Sequence, residues 1–186
     1  MNTPTTSSPQ DQPVGAKSKP VSAVAGQGNR VSQSLYALIA AQPFFKGLNA
    51  QHLQVLTDSA MEMQFEPGQS ILQEGSPANR FYLILEGKVV LESALEERGM
   101  IPIQTLGPGD DLGWSWLFPP YYLQSSARAL APTRTIFFYG TRLREQCERD
   151  HDFGYQLMQR IAEVVIKRLQ ATQQRLMELS EHLPTN

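Results

Sequence analysis

The sequence predicts a mainly β domain flanked by helices. Three observations carry the prediction. Short apolar runs between about residues 61 and 139 are punctuated by glycine turns, and apolar residues stand at helical spacing before Pro43. A long stretch near the C-terminus then places apolar residues alternately three and four apart. Short strands with regular turn signals form a barrel or sandwich, whereas a sustained three-four step marks a helical seam.

Composition limits the function classes. The 186 residues suit one domain with extensions, large enough to bury a core without disulfides. The single cysteine, Cys147, has no second cysteine with which to bridge or share a metal, which points to a reducing compartment. A formal charge of -2 and a pI near 5.9 supply no general attraction to phosphate backbones, so no direct nucleic-acid partner is expected. No signal-like apolar run opens the chain, and ~18 consecutive apolar residues, the length of a membrane span, occur nowhere. A cytoplasmic protein without membrane contact is expected.

In chain order, residues 1–30 are rich in Thr, Ser, Pro, Gln and Gly and read as a disordered tail, because they bury too little to offset ordering entropy. Leu35, Leu38 and Ile39 mark a short amphipathic helix that Pro43 ends. Asn49 is a plausible N-cap for a second helix carrying Leu53, Val55 and Leu56. His52 on that helix has no metal-type residue at i+4 and reads as a surface or satisfied histidine. Strands are expected over 61–65, 71–72, 81–85, 88–91, 100–106 and 134–139, with Ile101, Ile103 and Leu106 available to the core. Thr141 is the expected N-cap of a helix reaching Arg149. Cys147 on this helix reads as a packed or surface thiol, and no catalytic constellation is evident, so an enzyme is not expected. Residues 31–150 thus form the helices and β domain, 151–183 a long coiled-coil helix, and 184–186 a tail.

The segment from Leu112 to Ala131, LGWSWLFPPYYLQSSARALA, is entered through the turn signal Gly107-Pro-Gly-Asp110 and has the look of a loop closing over something. Its surroundings carry a resemblance. Ile71-Leu-x-x-Gly75-Ser-x-Ala78-x-x-Phe81-Tyr-Leu-Ile84-x-x-Gly87, followed in register by Leu106-x-x-Gly-Asp110-x-Leu112-Gly113, resembles the cyclic-nucleotide-binding domain, the effector domain of the catabolite-activator superfamily. The resemblance implies an antiparallel β-roll of double-stranded β-helix, or jelly-roll, type plus a long C-terminal dimerisation helix. It also implies a phosphate-binding cassette in which a glutamate accepts from the ribose hydroxyl and an arginine pairs with the cyclic phosphate.

Laid on that motif, Gly113 matches, Trp114 stands where the glutamate belongs and Trp116 where a small residue belongs. Ala127, Ala129 and Ala131 align on the other side, which puts Ser125 at the arginine position with Ser126 beside it. Arg128 is the cassette's cation, three residues late, and an odd offset in a strand turns a side chain to the opposite face. The candidate ligand-binding residues are therefore Gly113, Trp114, Ser115, Ser125, Ser126, Ala127, Arg128 and Thr172. Thr172 enters through Lys167-Arg-Leu-Gln-Ala-Thr172, which resembles the part of the family's long helix whose threonine touches the base. Trp114, Trp116, Phe118, Tyr121 and Tyr122 have three readings: a plug in the ligand's place, the lining of an apolar pocket, or a docking surface.

The long helix places Ala162, Val165, Leu169, Thr172, Leu176, Leu179 and Leu183 on one seam, the expected interface of a parallel homodimer. After it the sequence offers no helix-turn-helix and no basic stripe. The function expected is a stand-alone cyclic-nucleotide-binding-like regulatory or sensor domain, not a tight cAMP binder and not itself DNA-binding, that reports through a protein partner. Its ligand would be a cyclic nucleotide or another small molecule. The alternatives are a ligand-free dimeric adaptor with a plugged pocket and a transcriptional regulator lacking its own reading module. His52, His151 and His182 show no ligand arrangement for haem or metal.

Overall fold

The computed structural model describes residues 28–96 and 98–181. Helix α1 (Gly28–Ala40), a 3₁₀ turn (Pro43–Phe45) and α2 (Ala50–Ser59) precede eight strands: β1 (Ala60–Phe65), β2 (Ser70–Leu72), β3 (Arg80–Glu86), β4 (Val89–Leu95), β5 (Gly99–Leu106), β6 (Asp111–Leu112), β7 (Ser126–Ala129) and β8 (Thr133–Tyr139). A second 3₁₀ turn (Trp114–Leu117) lies between β6 and β7, and α3 (Gly140–Arg149) and α4 (His151–Glu181) follow the last strand. Residues 1–27 of the tail expected over 1–30 lie outside the described residues, and Gly28–Arg30 are not part of a tail, because they form the first turn of α1.

The strands form two four-stranded antiparallel sheets in the orders β1-β8-β3-β6 and β2-β7-β4-β5, a jelly-roll. β3 and β8 explain how two cores arise from one sheet. Successive strand side chains point to opposite faces, and an uninterrupted apolar run is therefore buried on both. Phe81, Leu83, Ile136 and Phe138 face the helices, where they meet Phe45, Leu56, Phe153, Leu157 and Ile161. Tyr82, Ile84 and Phe137 face the interior of the roll with Leu72, Leu91, Leu112 and Ala127.

Capping ties the helices to this frame. Asn49 accepts from the His52 N–H at 2.8 Å and caps α2 as expected. His52 is buried, and its Nε2 lies 3.1 Å from Asp150 Oδ2. The other oxygen of Asp150 accepts from the Phe153 N–H at 3.0 Å at the start of α4. That hydrogen bond, with His52 adding to it, holds the Asp150 carboxyl below the usual carboxylate range. His52 is thus a satisfied side chain that clamps α2 to α4.

Three local expectations are corrected. α3 begins at Gly140, with Tyr139 rather than Thr141 in the N-cap position, because β8 runs directly into it. β6 is a strand where only a turn was expected. Ile103 is exposed and Ile101 half-buried, since the β4–β5 hairpin projects beyond the roll and only Leu106 reaches the core.

Candidate functional site

Gly113 sets the geometry of the cassette. It has φ +81°, and a Cβ there would collide with the Arg80 carbonyl oxygen, so the chain passes closely over β3 only with glycine. In the 3₁₀ turn that follows, Trp114 and Ser115 line the cassette cavity, Trp114 also packing on the edge of the helical core, whereas Trp116 enters that core fully. Trp116 is fully buried among the helix-facing residues, edge-on to Phe81 with ring centres 6.1 Å apart. It packs so tightly against α3 that a Cβ on Gly140 would lie 2.7 Å from its own. Its indole Nε1 has no acceptor among the described residues. Trp116 therefore fills the helical core and is not part of the cassette cavity.

That cavity, of about 130 Å³, lies between the roll and α4. Gly113, Trp114, Ser115 and Ser125 wall it from the cassette, Leu72, Leu91 and Leu123 form its apolar floor, and Arg168 and Thr172 close it from α4. Trp114 is half-buried and stacks edge-on to Phe118 at 6.3 Å. Past Ile103, Gln104 and Thr172 the cavity continues into a groove of about 570 Å³ between β5 and the C-terminal part of α4.

The remaining candidates separate. Ser126 Oγ accepts from the Glu74 N–H at 3.0 Å and so braces β2 against β7. Ala127 is fully buried inside the roll. Arg128 points away from the cavity, as its strand register requires, and pairs bidentately with the buried carboxylate of Glu92, its Nε lying 3.1 Å from Oε2. Thr172 donates to the Arg168 carbonyl at 2.9 Å while lining the cavity.

Arg168 is the residue that sequence reasoning missed. Its guanidinium donates to the Asp111 main-chain carbonyl, lies 3.5 Å from Asp111 Oδ1, and lines the cassette cavity. The signal was present: Arg168 stands four residues before Thr172, and residues at i and i+4 share a helix face. Asp111 is 2% exposed, and burial pushes its carboxyl above the usual range despite the opposing effect of Arg168.

On α4 the seam is open to solvent. Leu169 is 55% and Leu176 67% exposed, Ala162 and Thr172 are exposed, and Val165 partly packs on the helical core. The Leu179 side chain and Leu183 lie outside what is described. Among the described residues no cluster of His, Cys, Asp and Glu able to hold a metal occurs, and no helix is long and apolar enough to cross a membrane.

A two-sheet roll with a short cassette facing a long helix defines the jelly-roll effector domains. The chain matches the cyclic nucleotide-binding domain over residues 62–150. It is 31% identical to a Geobacter metallireducens GS-15 protein assigned as cyclic nucleotide-binding, with a TM-score of 0.64, covering 79% of this chain and 99% of that one. The chain belongs to the cyclic nucleotide-binding domain family. It is also similar to the CRP-like cAMP-activated global transcriptional regulator of Mycobacterium tuberculosis, at 25% identity over 76% of this chain and 62% of the regulator. A shorter match, 37% identical over 44% of this chain and 46% of its relative, is to the cAMP-dependent protein kinase type I-alpha regulatory subunit of Mesocricetus auratus. The chain thus spans less than two thirds of the length of these curated relatives.

Proposed function

We propose that this chain is a regulatory sensor domain whose small ligand binds between the cassette and α4 and reports its presence through the position of α4. The observation that carries the reading is a single cavity walled by Trp114, Ser115 and Ser125 on one side and by Arg168 and Thr172 on the other. A ligand there touches both the roll and the helix. Its differential affinity for two helix positions is the only thing that can shift them.

The volume supports a moving helix. The cavity holds about 130 Å³, whereas sites for drug-sized ligands enclose ~300–1,000 Å³. A nucleotide seated wholly in the cassette part, rather than extending into the groove beyond Thr172, displaces α4 or the β4–β5 hairpin, and in this scheme that displacement is the signal. Ordinary cAMP binds weakly in this scheme. Trp114 accepts no hydrogen bond from a ribose hydroxyl, Ser125 carries no charge for the phosphate, and Arg168 is already engaged by Asp111. α4 pairs with α4 of a second copy along Ala162, Val165, Leu169, Thr172 and Leu176.

The small volume of the cavity also favours a second reading, a ligand-free dimeric adaptor. Calorimetric titration with cAMP, cGMP, cyclic dinucleotides and unphosphorylated nucleosides separates the two. Saturable heat from any of them, lost in Thr172→Val, supports the sensor. No heat from any at millimolar concentration defeats it and leaves the adaptor.

A further inference from the structure

Away from the cassette cavity, arginine and tyrosine side chains gather where β3, β8 and the start of α3 meet the loop after Leu117. Arg80 stands directly across from Tyr139 in the β3–β8 ladder. Arg142, one turn into α3, lies over the Tyr139 ring with its guanidinium carbon 5.3 Å from the centroid. Arg144 lies over Tyr121 at 4.5 Å and donates to the Trp116 carbonyl at 2.6 Å. The segment 78–80 joins the two stacks: the Ala78 N–H donates to the Tyr121 carbonyl at 2.6 Å, and the Gly140 N–H donates to the Asn79 carbonyl at 2.9 Å.

Arg144 is half-buried, its guanidinium on the Ala78 and Trp116 carbonyls, whereas the other groups face outward. Tyr121, Tyr122 and Tyr139 are 39%, 49% and 40% exposed, and Arg80 and Arg142 are exposed as well. Tyr121 keeps φ +61°, a left-handed backbone that costs a non-glycine residue energy and persists only where its surroundings enforce it. The charges are also unmatched. Arg128, Arg134 and Arg168 each meet a carboxylate, whereas Arg80, Arg142 and Arg144 form no ion pair among the described residues. Arg80 and Arg142 thus present two exposed guanidinium groups beside the tyrosines.

Stacked arginines and rigid tyrosines are the side chains enriched at protein interfaces, and a guanidinium fork matches a carboxylate in shape as well as charge. We infer that this arginine–tyrosine face docks an acidic protein segment, whose carboxylates pair with Arg80 and Arg142 while its apolar side chains cover Tyr121, Tyr122 and Tyr139. A polyanionic nucleic acid is disfavoured because phosphates flanking the contact would run over an acidic molecule. The inference stands whether or not a ligand fills the cassette.

The test is a peptide array of random 12-residue segments probed with the full chain, followed by affinity measurement on the segments retained. Enrichment of segments rich in Asp and Glu, with affinity falling at least tenfold in Arg80→Gln/Arg142→Gln at an unchanged melting temperature, supports the inference. An array without acidic enrichment, retained segments indifferent to the double substitution, or tighter binding of oligo-dT than of any peptide each overturns it. Lys88→Gln, a charge loss distant from this face in sequence and on another strand boundary, serves as control: a tenfold loss there would show a net-charge effect and overturn the docking role.

Discussion

Asp111 and Arg168 connect the roll to the long helix through an asymmetric contact. The guanidinium donates to the Asp111 main-chain carbonyl and only grazes the carboxylate, 3.5 Å from Oδ1, while Oδ2 is buried with no donor among the described residues. Two effects compete at this pair. Removing one partner of a buried ion pair ordinarily destabilises, because the other charge is stranded. Here Arg168 keeps the carbonyl and borders the cavities on either side, whereas the ionised Asp111 carboxylate is the group that loses solvation.

Asp111→Asn should therefore raise the melting temperature at neutral pH by a few degrees, since about 1 kcal/mol shifts it by roughly 2–4 °C in a chain of this size. The sign with pH follows from the raised folded-state value. Stability associated with Asp111 is fully present below its unfolded pKa and is lost as pH rises through the folded one. The advantage of the variant should shrink as pH falls toward the carboxylate range. Melting curves from pH 4.5 to 8 check this, and a variant less stable than the parent at neutral pH would show that the ion pair outweighs desolvation.

How much of this was legible in the sequence depended on periodicity. β3 and β8 announced themselves as apolar runs, and glycines such as Gly75 and Gly87 marked their turns. β6 did not, because Gly107-Pro-Gly109-Asp110 masks a strand only two residues long. The resemblance to the family's cassette drew attention to Trp114 and Ser125, and both residues wall the cavity. Trp116 was not assignable, since sequence spacing does not tell which of two indoles in a 3₁₀ turn is fully buried in the helical core and which also reaches the cavity. Arg168 was overlooked for a different reason: on a long helix with balanced charges, one cation facing inward looks like the others facing solvent.

The apolar seam on α4 predicts the oligomeric state. Leu169 and Leu176 are more than half exposed in one copy, and burying a leucine contributes ~1.5–3 kcal/mol. Sedimentation equilibrium should find a dimer for the parent and a monomer for Leu169→Glu/Leu176→Glu, with unchanged helicity. A monomeric parent at tens of micromolar would remove the proposed interface.

Cys147 is predicted to be inert. It is half-buried against α4, where a Cβ on Gly154 would approach its own to 3.1 Å, and burial pushes its thiol up to about 11. The thiolate is the reactive form, so alkylation by iodoacetamide at pH 7.5 should run about a hundredfold or more slower than for a free cysteine of pKa ≈ 8.5. Denaturation should restore the ordinary rate. Fast labelling of the folded chain would mean that α3 lifts readily from α4.

Repairing the cassette tests whether its frame is still competent. Ser125 already lines the cavity, and Gly113 already holds the backbone in the left-handed turn that brings it over β3. On the proposed reading, Ser125 stands where the family's cassette has its phosphate-pairing arginine. A charge-assisted hydrogen bond contributes ~1.5–3 kcal/mol, so Ser125→Arg should tighten cAMP binding by about one to two decades. Adding Trp114→Glu supplies the ribose acceptor and removes the indole that narrows the cavity, at the cost of its packing against the helical core. The double variant should bind more tightly than the single one while melting at a lower temperature. Calorimetry and melting curves on both variants check the pair of effects. If neither variant binds cAMP more tightly than the parent, the obstacle is the closed position of α4 rather than the missing side chains, and Thr172 and Arg168 become the residues to alter.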